Sequence, residues 1–427
     1  MSSRVVLGVG AGIAAYKSCE LLRLLTESGH QVRVVPTPDA LRFVGEATWA
    51  ALSGQPVTTD VWAGVSEVPH VRIGQAADLV LVAPATADLL ARAAAGMAGD
   101  LLTATLLTAR CPVLYAPAMH TEMWEHPATQ ANVALLRRRG AIVMEPAVGR
   151  LTGRDTGPGR LPEPGGIFAV ATRLLARGAV GPGTADLAGR RVVVSAGGTR
   201  EEIDPVRFIG NWSTGTQGYA LASTAVARGA EVTLVAANVA LPDPAGTKVS
   251  RVVSAREMHE AVLAAAETAD AVVMAAAVAD YRPAARSAAK IKKDGQPPEP
   301  LRLTENPDIL AGLAAARKAR DAARSAHDPE RAGLVPLAPG HQVLVGFAAE
   351  TDPSSEQARA KLARKGCDLL VVNPVGNGLG FGTPDNEAVV YGADGTVTPV
   401  SRGPKEALAD VVWDLVAARL SESPADG

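Results

Sequence analysis

Arg190-Arg191-Val192-Val193-Val194-Ser195 breaks into Ala196-Gly197-Gly198-Thr199-Arg200-Glu201-Glu202-Ile203-Asp204-Pro205-Val206-Arg207 and, three residues on, Asn211-Trp212-Ser213-Thr214-Gly215-Thr216-Gln217-Gly218. The first six residues read as a buried strand. Residues 196–218 read as a long loop rich in glycine and hydroxyl groups. It lies at the carboxyl end of that strand, where an open α/β sheet places its ligand. Backbone N–H groups and the start of the next helix can receive phosphate there. Two arginines, an asparagine and several hydroxyls supply orienting contacts.

On both sides of this stretch, strands alternate with amphipathic helices. Upstream, Arg4–Val9, Gln31–Val35, Asp78–Ala83, Pro112–Ala116 and Ala141–Met144 read as strands. Ile13–Ser28, with apolar Leu21, Leu22, Leu24 and Leu25, reads as a helix, and so does Ile167–Arg177. Gly149–Gly166 is rich in Gly, Pro and Arg and is expected to be a long functional loop. Gly178–Gly189 reads as a linker. Downstream, Arg191–Ser195, Glu231–Ala236, Ala271–Ala276, Gln342–Phe347 and Asp368–Val372 are nearly continuous apolar runs, as strands buried on both faces require. Lys318–Gly340 reads as a helix end and a solvated loop. Glu387–Val400 reads as a hairpin turning at Ala393-Asp394-Gly395. The expected fold class is α/β, with two Rossmann-like parallel-sheet domains over residues 1–180 and 190–427 and a linker at 181–189.

Composition agrees. A chain of 427 residues exceeds one ordinary core. With 47% apolar and 20% charged residues it reads as a folded soluble protein. A net charge of −2 gives no general reason to expect nucleic acid or an anionic membrane as partner. Cys19, Cys111 and Cys367 have no metal-ligand spacing and read as reduced thiols in a cytoplasm. The chain enters a strand within four residues, which leaves no room for a signal peptide. The purest apolar run, Ala271–Ala279, has nine residues, too few for a membrane span.

The first glycine turn, Gly8-Val9-Gly10-Ala11-Gly12-Ile13, fails the strict G-x-G-x-x-G, although Gly10 to Ala15 fits the looser form ending in alanine. A nicotinamide dinucleotide also wants an acid at the end of the second strand. Here that strand ends Pro36-Thr37, with no carboxylate until Asp39. A hydroxyl there suits a mononucleotide phosphate better, and a tight glycine turn serving only packing is the minority alternative. Pro84-Ala85-Thr86-Ala87-Asp88 and Pro117-Ala118-Met119-His120-Thr121-Glu122-Met123-Trp124 each follow a buried strand. His70 precedes an apolar helix, a place where a histidine is more often an ordinary surface or capping residue.

Taken together, the Gly-Ile-Ala-Ala-Tyr-Lys turn, the His70 helix, Ala-Pro-Ala-Thr-Ala-Asp and Pro-Ala-Met-x-x-x-Met-Trp resemble the flavin-dependent cysteine decarboxylases over residues 1 to about 180. The resemblance implies a flavodoxin-like domain with FMN held by Ala11, Gly12, Ile13, Thr37, Thr86, Ala87, Asp88, Leu89 and Ala118. It implies His70 as the catalytic base, with His120, Met123 and Arg160 toward the substrate. It also implies a homotrimer with flavin at the subunit interface. Two departures stand out. His120 occupies a place where that family usually has asparagine. Gly153, in Leu151-Thr152-Gly153-Arg154-Asp155-Thr156-Gly157-Pro158-Gly159-Arg160, stands where it often has a reactive cysteine.

In the second half the glycine-rich loop is succeeded by Ala275-Ala276-Ala277-Val278-Ala279-Asp280, Lys290-Ile291-Lys292-Lys293 and Thr304-Glu305-Asn306-Pro307-Asp308-Ile309. Val345-Gly346-Phe347-Ala348-Ala349-Glu350-Thr351 and the Lys361/Lys365 pair complete the set. Singly these have bland readings: a solvated charge run, a turn, one face of a helix. In this order they resemble phosphopantothenate–cysteine ligases, and the fused arrangement resembles the bacterial bifunctional coenzyme A biosynthesis proteins. That resemblance implies CTP, with Mg²⁺ whose protein ligands stay unassigned. The implied CTP contacts are Met274, Ala275, Ala276, Asp280, Lys290, Asn306, Pro307, Asp308, Ile309, Phe347, Lys361 and Lys365. Asn211 and Arg207 face phosphopantothenate, Asn211 acts on an acyl-cytidylate, and Lys290 assists its formation. Thr216 stands where relatives commonly carry lysine. Trimeric flavin and dimeric ligase domains together imply a dodecamer. A nicotinamide oxidoreductase and a non-catalytic flavoprotein regulator are the competing readings.

Overall fold

The computed structural model describes residues 2–59, 68–150, 156–177, 185–292, 300–325, 342–350, 354–375, 383 and 385–421. Two compact units divide the chain. One comprises 1–190 with 223–231 and 244–247; the other comprises 191–222, 232–243 and 248–427.

The first unit is built on five parallel strands: β1 (Arg4–Val9), β2 (Gln31–Pro36), β3 (Leu79–Ala85), β4 (Val113–Pro117) and β5 (Ile142–Val143). Their spatial order is β2-β1-β3-β4-β5, the flavodoxin order, whose switch point lies between β1 and β3. Every residue of β3 is buried, which is why its sequence is apolar throughout rather than alternating. Helices α1 (Lys17–Glu27), α2 (Glu46–Ser53), α3 (Pro69–Ala76), α4 (Ala87–Ala95), α5 (Leu101–Thr108), α6 (Thr121–Glu125), α7 (Pro127–Arg138) and α8 (Pro164–Ala176) accompany the sheet. The helix expected from Ile13 opens as a 3₁₀ turn, Ile13–Tyr16, before α1 begins.

The expected loop at Gly149–Gly166 is corrected. An antiparallel hairpin of β6 (Ala147–Arg150) and β7 (Thr156–Arg160) enters it, and α8 already starts at Pro164. Glycine-rich strands escaped detection because they bury few side chains; what fixes them is close backbone approach. Gly159 has φ +147°, and a Cβ there would land on the carbonyl oxygen of Met119. Leu151–Asp155, including Gly153, and the linker residues 178–184 lie outside the described residues.

The second unit contains an eight-stranded sheet. Its strands are β8 (Arg191–Gly197), β11 (Glu231–Ala237), β12 (Thr247–Val252), β13 (Ala271–Met274), β16 (Val343–Glu350), β17 (Leu369–Pro374), β18 (Asp385–Gly392) and β19 (Val397–Pro404). They lie in the order β12-β11-β8-β13-β16-β17-β18-β19. The first six follow the Rossmann order, with its reversal between β8 and β13. β8, β13, β16 and β17 pair in parallel, and the β18–β19 hairpin adds antiparallel strands at one edge. Val193, Val272, Leu344 and Leu370 pack in its core with Met258 and Val262 of α10 (Ala255–Ala266) and Leu313 of α11 (Ile309–Ser325). Burying each such side chain stabilises the fold by about 1.5–3 kcal/mol. Helices α9 (Thr216–Ala227), α12 (Ser355–Lys365) and α13 (Lys405–Ser421) complete the unit. Trp413 of α13, fully buried, donates its indole N–H to the Leu221 carbonyl on α9 at 2.9 Å.

The loop after β8 is also less plain than its composition suggests. Between Gly197 and Gly218 it folds a small antiparallel hairpin, β9 (Arg200–Glu202) with β10 (Phe208–Gly210). A second short pair, β14 (Tyr281–Pro283) with β15 (Leu303–Glu305), was not anticipated. Strand β13 stops at Met274, two residues before expected, because the chain turns there into the Ala275–Ala279 loop. Lys293, Thr351 and residues 326–340 lie outside the described residues.

Candidate functional sites

In the first unit, the residues expected at FMN gather at the carboxyl ends of four adjacent strands. Ala11, Gly12 and Ile13 follow β1, Thr37 follows β2, Thr86 to Leu89 follow β3, and Ala118 follows β4. Thr37 donates its backbone N–H to Val9 at 2.9 Å, and Ala118 donates to Ala85 at 3.1 Å, so these ends are tied together. Thr86 caps α4, its hydroxyl accepting from the Leu89 N–H at 3.3 Å. That contact leaves its proton for another acceptor. Thr37 Oγ1 is buried without a partner. A buried unpaired hydroxyl is costly, and this one sits beside a glycine turn and a helix N-terminus, both suited to a phosphate. These residues fit a flavin mononucleotide.

His70 is the second residue of α3, and its Nδ1 is likewise buried without a partner. Its backbone carbonyl is pinned by the Thr108 hydroxyl of α5 at 2.7 Å. His120 and Met123 are exposed at the start of α6. Met119 donates its N–H to the Gly159 carbonyl at 2.9 Å, which seats the β6–β7 hairpin against this segment. Arg160, at the end of that hairpin, pairs with Glu163, which Lys17 also holds at 3.0 Å. Burial raises the Glu163 pKa, but Lys17 and Arg160 outweigh it and hold the carboxyl below its ordinary range.

None of the three thiols offers an easy substitute for a reactive loop cysteine. Burial pushes Cys111 and Cys367 up to about 11, and Cys19 is raised for the same reason. All three are therefore protonated near neutrality and poor nucleophiles.

In the second unit, a cavity of about 430 Å³ opens at the sheet's carboxyl edge. Met274, Ala276, Asp280, Asn306, Pro307, Asp308, Ile309, Phe347, Lys361 and Lys365 line it. These are all the expected CTP residues except Ala275 and Lys290. They come from four separate segments that only the fold unites. Asn306 donates from Nδ2 to the Ala279 carbonyl at 2.9 Å and from its backbone to Asp280 at 2.8 Å. Asp308 caps α11, accepting from the Ala311 N–H at 3.1 Å. Each lysine of α12 meets a carboxylate: Lys361 with Glu350 at 2.8 Å and Lys365 with Asp308 at 2.6 Å. Burial raises the Asp308 pKa, but Lys365 and the Ala311 N–H outweigh it and hold the carboxyl low.

A second cavity, of about 510 Å³, shares Ala276, Asp280, Phe347 and Lys361 with the first. Asn211, Thr214, Thr216, Ala275, Asn386 and Lys405 also line it. Asn211 donates from Nδ2 to the Val278 carbonyl at 3.0 Å. The loop after β13 is shaped by two hydroxyls whose roles sequence reading missed. Ser195, fully buried, accepts from the Ala276 N–H at 3.1 Å, and Thr199 from the Ala279 N–H at 2.9 Å. Gly197, at φ +85°, lets β11 approach so closely that a Cβ would land on the Ala237 carbonyl oxygen.

Lys290 and Arg207 fall elsewhere. Lys290 is exposed and lines neither cavity. Its neighbour Ile291 donates its N–H to buried Asp204 at 3.1 Å and accepts from the Arg207 guanidinium. Asp204 also accepts from the backbone of Val206 and Arg207, so one turn fixes both cationic segments. Burial raises the Asp204 pKa, but these N–H groups and the Arg207 charge bring it below its ordinary range. Lys405, only 4% exposed, was missed altogether. In sequence it is one more lysine at a helix start. Burial pulls its ammonium below the ordinary lysine range, against Asp385 and Glu406.

A flavodoxin-order sheet whose carboxyl edge suits a mononucleotide, and a Rossmann-order sheet with a charged cavity, define a two-unit α/β protein with the architecture of nucleotide-binding enzymes. Comparison with known proteins narrows that class. The family described as Flavoprotein matches residues 1–175, and the family described as DNA/pantothenate metabolism flavoprotein C-terminal domain matches 187–324 and 333–420. The coenzyme A biosynthesis bifunctional protein CoaBC of Mycobacterium tuberculosis (strain H37Rv) is 56% identical over 423 residues, covering 98% of this chain and 97% of that protein. That of Mycolicibacterium smegmatis is 56% identical over 422 residues, covering 98% of each chain. That of Vibrio parahaemolyticus is 41% identical over 410 residues, covering 95% and 96%. The chain belongs to the CoaBC family of bifunctional coenzyme A biosynthesis enzymes, which join a ligase to a flavoprotein decarboxylase. Among the described residues no helix is long and apolar enough to cross a membrane.

Proposed function

We propose that residues 190–427 join 4′-phosphopantothenate to cysteine with CTP and Mg²⁺, and that residues 1–180 decarboxylate the product to 4′-phosphopantetheine with FMN, 181–189 being the linker. The observation that supports the ligase reading is the convergence of four chain segments, 274–280, 305–310, Phe347 and Lys361/Lys365, on one cavity beside β13 and β16 of the Rossmann-order sheet. The substrate carboxylate attacks the α-phosphorus of CTP and diphosphate leaves. Cysteine's amine then attacks the acyl carbon, loses a proton and expels CMP. Negative charge gathers on the phosphoryl oxygens in the first step, where Lys361 and Lys365 stabilise it; Mg²⁺, when bound, would add to that neutralisation. Glu350 and Asp308 hold the two ammonium groups in place until the triphosphate arrives. Lys290 and Arg207, fixed through Ile291 and Asp204, add cations as the acyl-cytidylate forms. Asn211 presents its amide beside that intermediate, and its bond to Val278 orients it.

Decarboxylation needs an electron sink, which bound FMN supplies by oxidising the substrate thiol and later returning the electrons. Thr37, Thr86 and the Ala11–Ile13 turn bind its phosphate and orient it. His70 Nδ1, unpartnered in the structure, takes the proton that the substrate thiol releases on oxidation. His120 donates to the substrate carboxylate or amide, and Met123 and Arg160 flank it. The enzyme works in the cytoplasm as a dodecamer of trimeric flavin and dimeric ligase domains; sedimentation velocity of the FMN-loaded protein tests the assembly.

Purified protein given 4′-phosphopantothenate, cysteine, CTP and Mg²⁺ should release CMP, CO₂ and 4′-phosphopantetheine. Accumulation of phosphopantothenoylcysteine with no CO₂ would remove the decarboxylase half of the reading.

A further inference from the structure

We infer that Thr108 is a positioning residue for decarboxylation: its hydroxyl, with Gly74 opposite, fixes the start of α3 on α5 and so sets where the His70 imidazole stands. This inference rests on the reading of His70 as the base and adds what holds that base in place.

The start of α3 is poorly anchored by its own sequence. Pro69 has no N–H to bond. Val68, the N-cap residue, has no side-chain oxygen to cap the helix. It also stands at φ +45° and ψ 66°, in the left-handed region, which a β-branched residue adopts only at a cost. Among the described residues the His70 ring offers no hold either, since its Nδ1 is buried without a partner. A short helix entered in this way is placed by what it packs against.

That support is α5. The Thr108 hydroxyl donates to the His70 carbonyl at 2.7 Å. Its own helix offers the ordinary acceptors of a helical threonine, the Thr105 and Ala104 carbonyls, but at 3.1 and 3.5 Å. The single proton therefore goes to the shortest of the three, the bond between helices. One turn further along α3, Gly74 lies so close that a Cβ would land on the Thr108 hydroxyl, with the Thr105 carbonyl oxygen 2.8 Å away. Thus α3 is held at His70 by a hydrogen bond and at Gly74 by contact, and both holds meet at one oxygen. Ile73, beside Gly74, is buried in the core of the same unit. The imidazole can turn about its side-chain bonds, but the backbone that carries it is fixed. A displacement of about 1 Å is enough to cost a reacting group much of its effect.

The test uses the full-length, FMN-loaded enzyme with phosphopantothenoylcysteine supplied directly. Thr108→Val, which keeps the shape and removes the hydroxyl, should lower kcat for CO₂ release about 10- to 100-fold. KM, FMN content and CMP formation should be unchanged, and Thr108→Ser should restore most of the loss. In anaerobic single turnover, bleaching of the flavin on mixing with substrate should slow by the same factor, because the thiol gives up its proton in that step. A double-mutant cycle ties the effect to the base: in a His70→Asn enzyme, Thr108→Val should cost nothing further. An unchanged kcat, a loss that serine does not repair, a loss of FMN, or a full loss on top of His70→Asn would each overturn the inference. If Thr108→Val does not fold, Thr108→Ala takes its place with the same expectations. Failure of both to fold would make the threonine structural only and overturn the inference too. A His70→Asn enzyme that releases CO₂ at the normal rate would instead remove the reading of His70 as the base, a result that no Thr108 variant can give.

Discussion

On the assignment proposed above, the two units place their ligands by one topological rule and prepare for them by opposite means. Each collects residues at the carboxyl edge of a parallel sheet, beside the point where strand order reverses. At the flavin edge, polar groups wait unpaired: Thr37 Oγ1 and His70 Nδ1 are buried with no partner. At the nucleotide edge the charges are already matched, Lys361 to Glu350 and Lys365 to Asp308. A cofactor that stays can be the missing partner of a buried hydroxyl, because the cost of the empty site is rarely met. A nucleotide that comes and goes leaves its lysines exposed to mutual repulsion each cycle, and a carboxylate beside each removes that penalty.

Separating the two chemistries gives the largest expected effect. His70→Asn should cut CO₂ release from phosphopantothenoylcysteine by about 10²–10⁴-fold, the span of a lost general base, with CMP formation unchanged. Loss of both products would break the comparison, because it would mean the units do not act as separate sites. Asn211→Ala should do the converse, slowing phosphopantothenoylcysteine formation by about 10²–10³-fold, as loss of a donor beside a reacting acyl group does. A hydroxylamine trap should then capture more acyl-cytidylate than in the unmodified enzyme. If no intermediate is captured, the amide acts in the first step instead.

Much of this contrast is legible in the sequence. The long apolar runs Leu79–Val82 and Val192–Val194 announce strands buried on both faces, and the β18–β19 hairpin is visible in its Asp394-Gly395 turn. Of the segments expected at the nucleotide, Ala275–Asp280 is recognisable because it follows such a strand, and Phe347 because it lies in one. What escapes detection is set by backbone geometry. The β6–β7 hairpin exists because glycines let it lie against Met119–Thr121, and its sequence carries no alternation to read. Ser195 and Thr199 brace the Ala276–Ala279 loop through hydrogen bonds that only the finished sheet defines. Lys405 is invisible for the same reason. A lysine after Gly-Pro at the start of an apolar helix reads as solvated, and only its burial shows otherwise.

Backbone approach gives a sharper, smaller test. Gly159→Ala and Gly197→Ala each put a Cβ onto a carbonyl oxygen, in the first and second unit respectively, at positive φ. Each should cost its own unit about 1–3 kcal/mol. With two resolved unfolding transitions, each substitution should lower one midpoint and leave the other in place. Gly159→Ala should also weaken decarboxylation by unseating the hairpin from Met119, whereas Gly197→Ala should weaken only CMP formation. A joint shift of both transitions would show that the units do not unfold independently.

The smallest effect tests whether the nucleotide edge is matched in charge before its ligand binds. The Asp308 pKa is lowered in the folded protein, Lys365 and the Ala311 N–H prevailing over burial. A depressed carboxylate pKa contributes stability above the unfolded value, about 3.9, and loses it as pH falls through the folded value. Asp308→Asn should therefore lower the melting temperature near pH 7 by about 1–3 °C, given that a partly exposed ion pair contributes at most about 1 kcal/mol. The difference should shrink as pH falls below about 4 and vanish once the carboxyl is protonated. Because the same substitution frees Lys365, affinity for CTP at neutral pH should hold or rise slightly while stability falls. A loss of CTP affinity equal to that of Lys365→Gln would instead make Asp308 a ligand contact, and the pre-matched charge would be incidental to it.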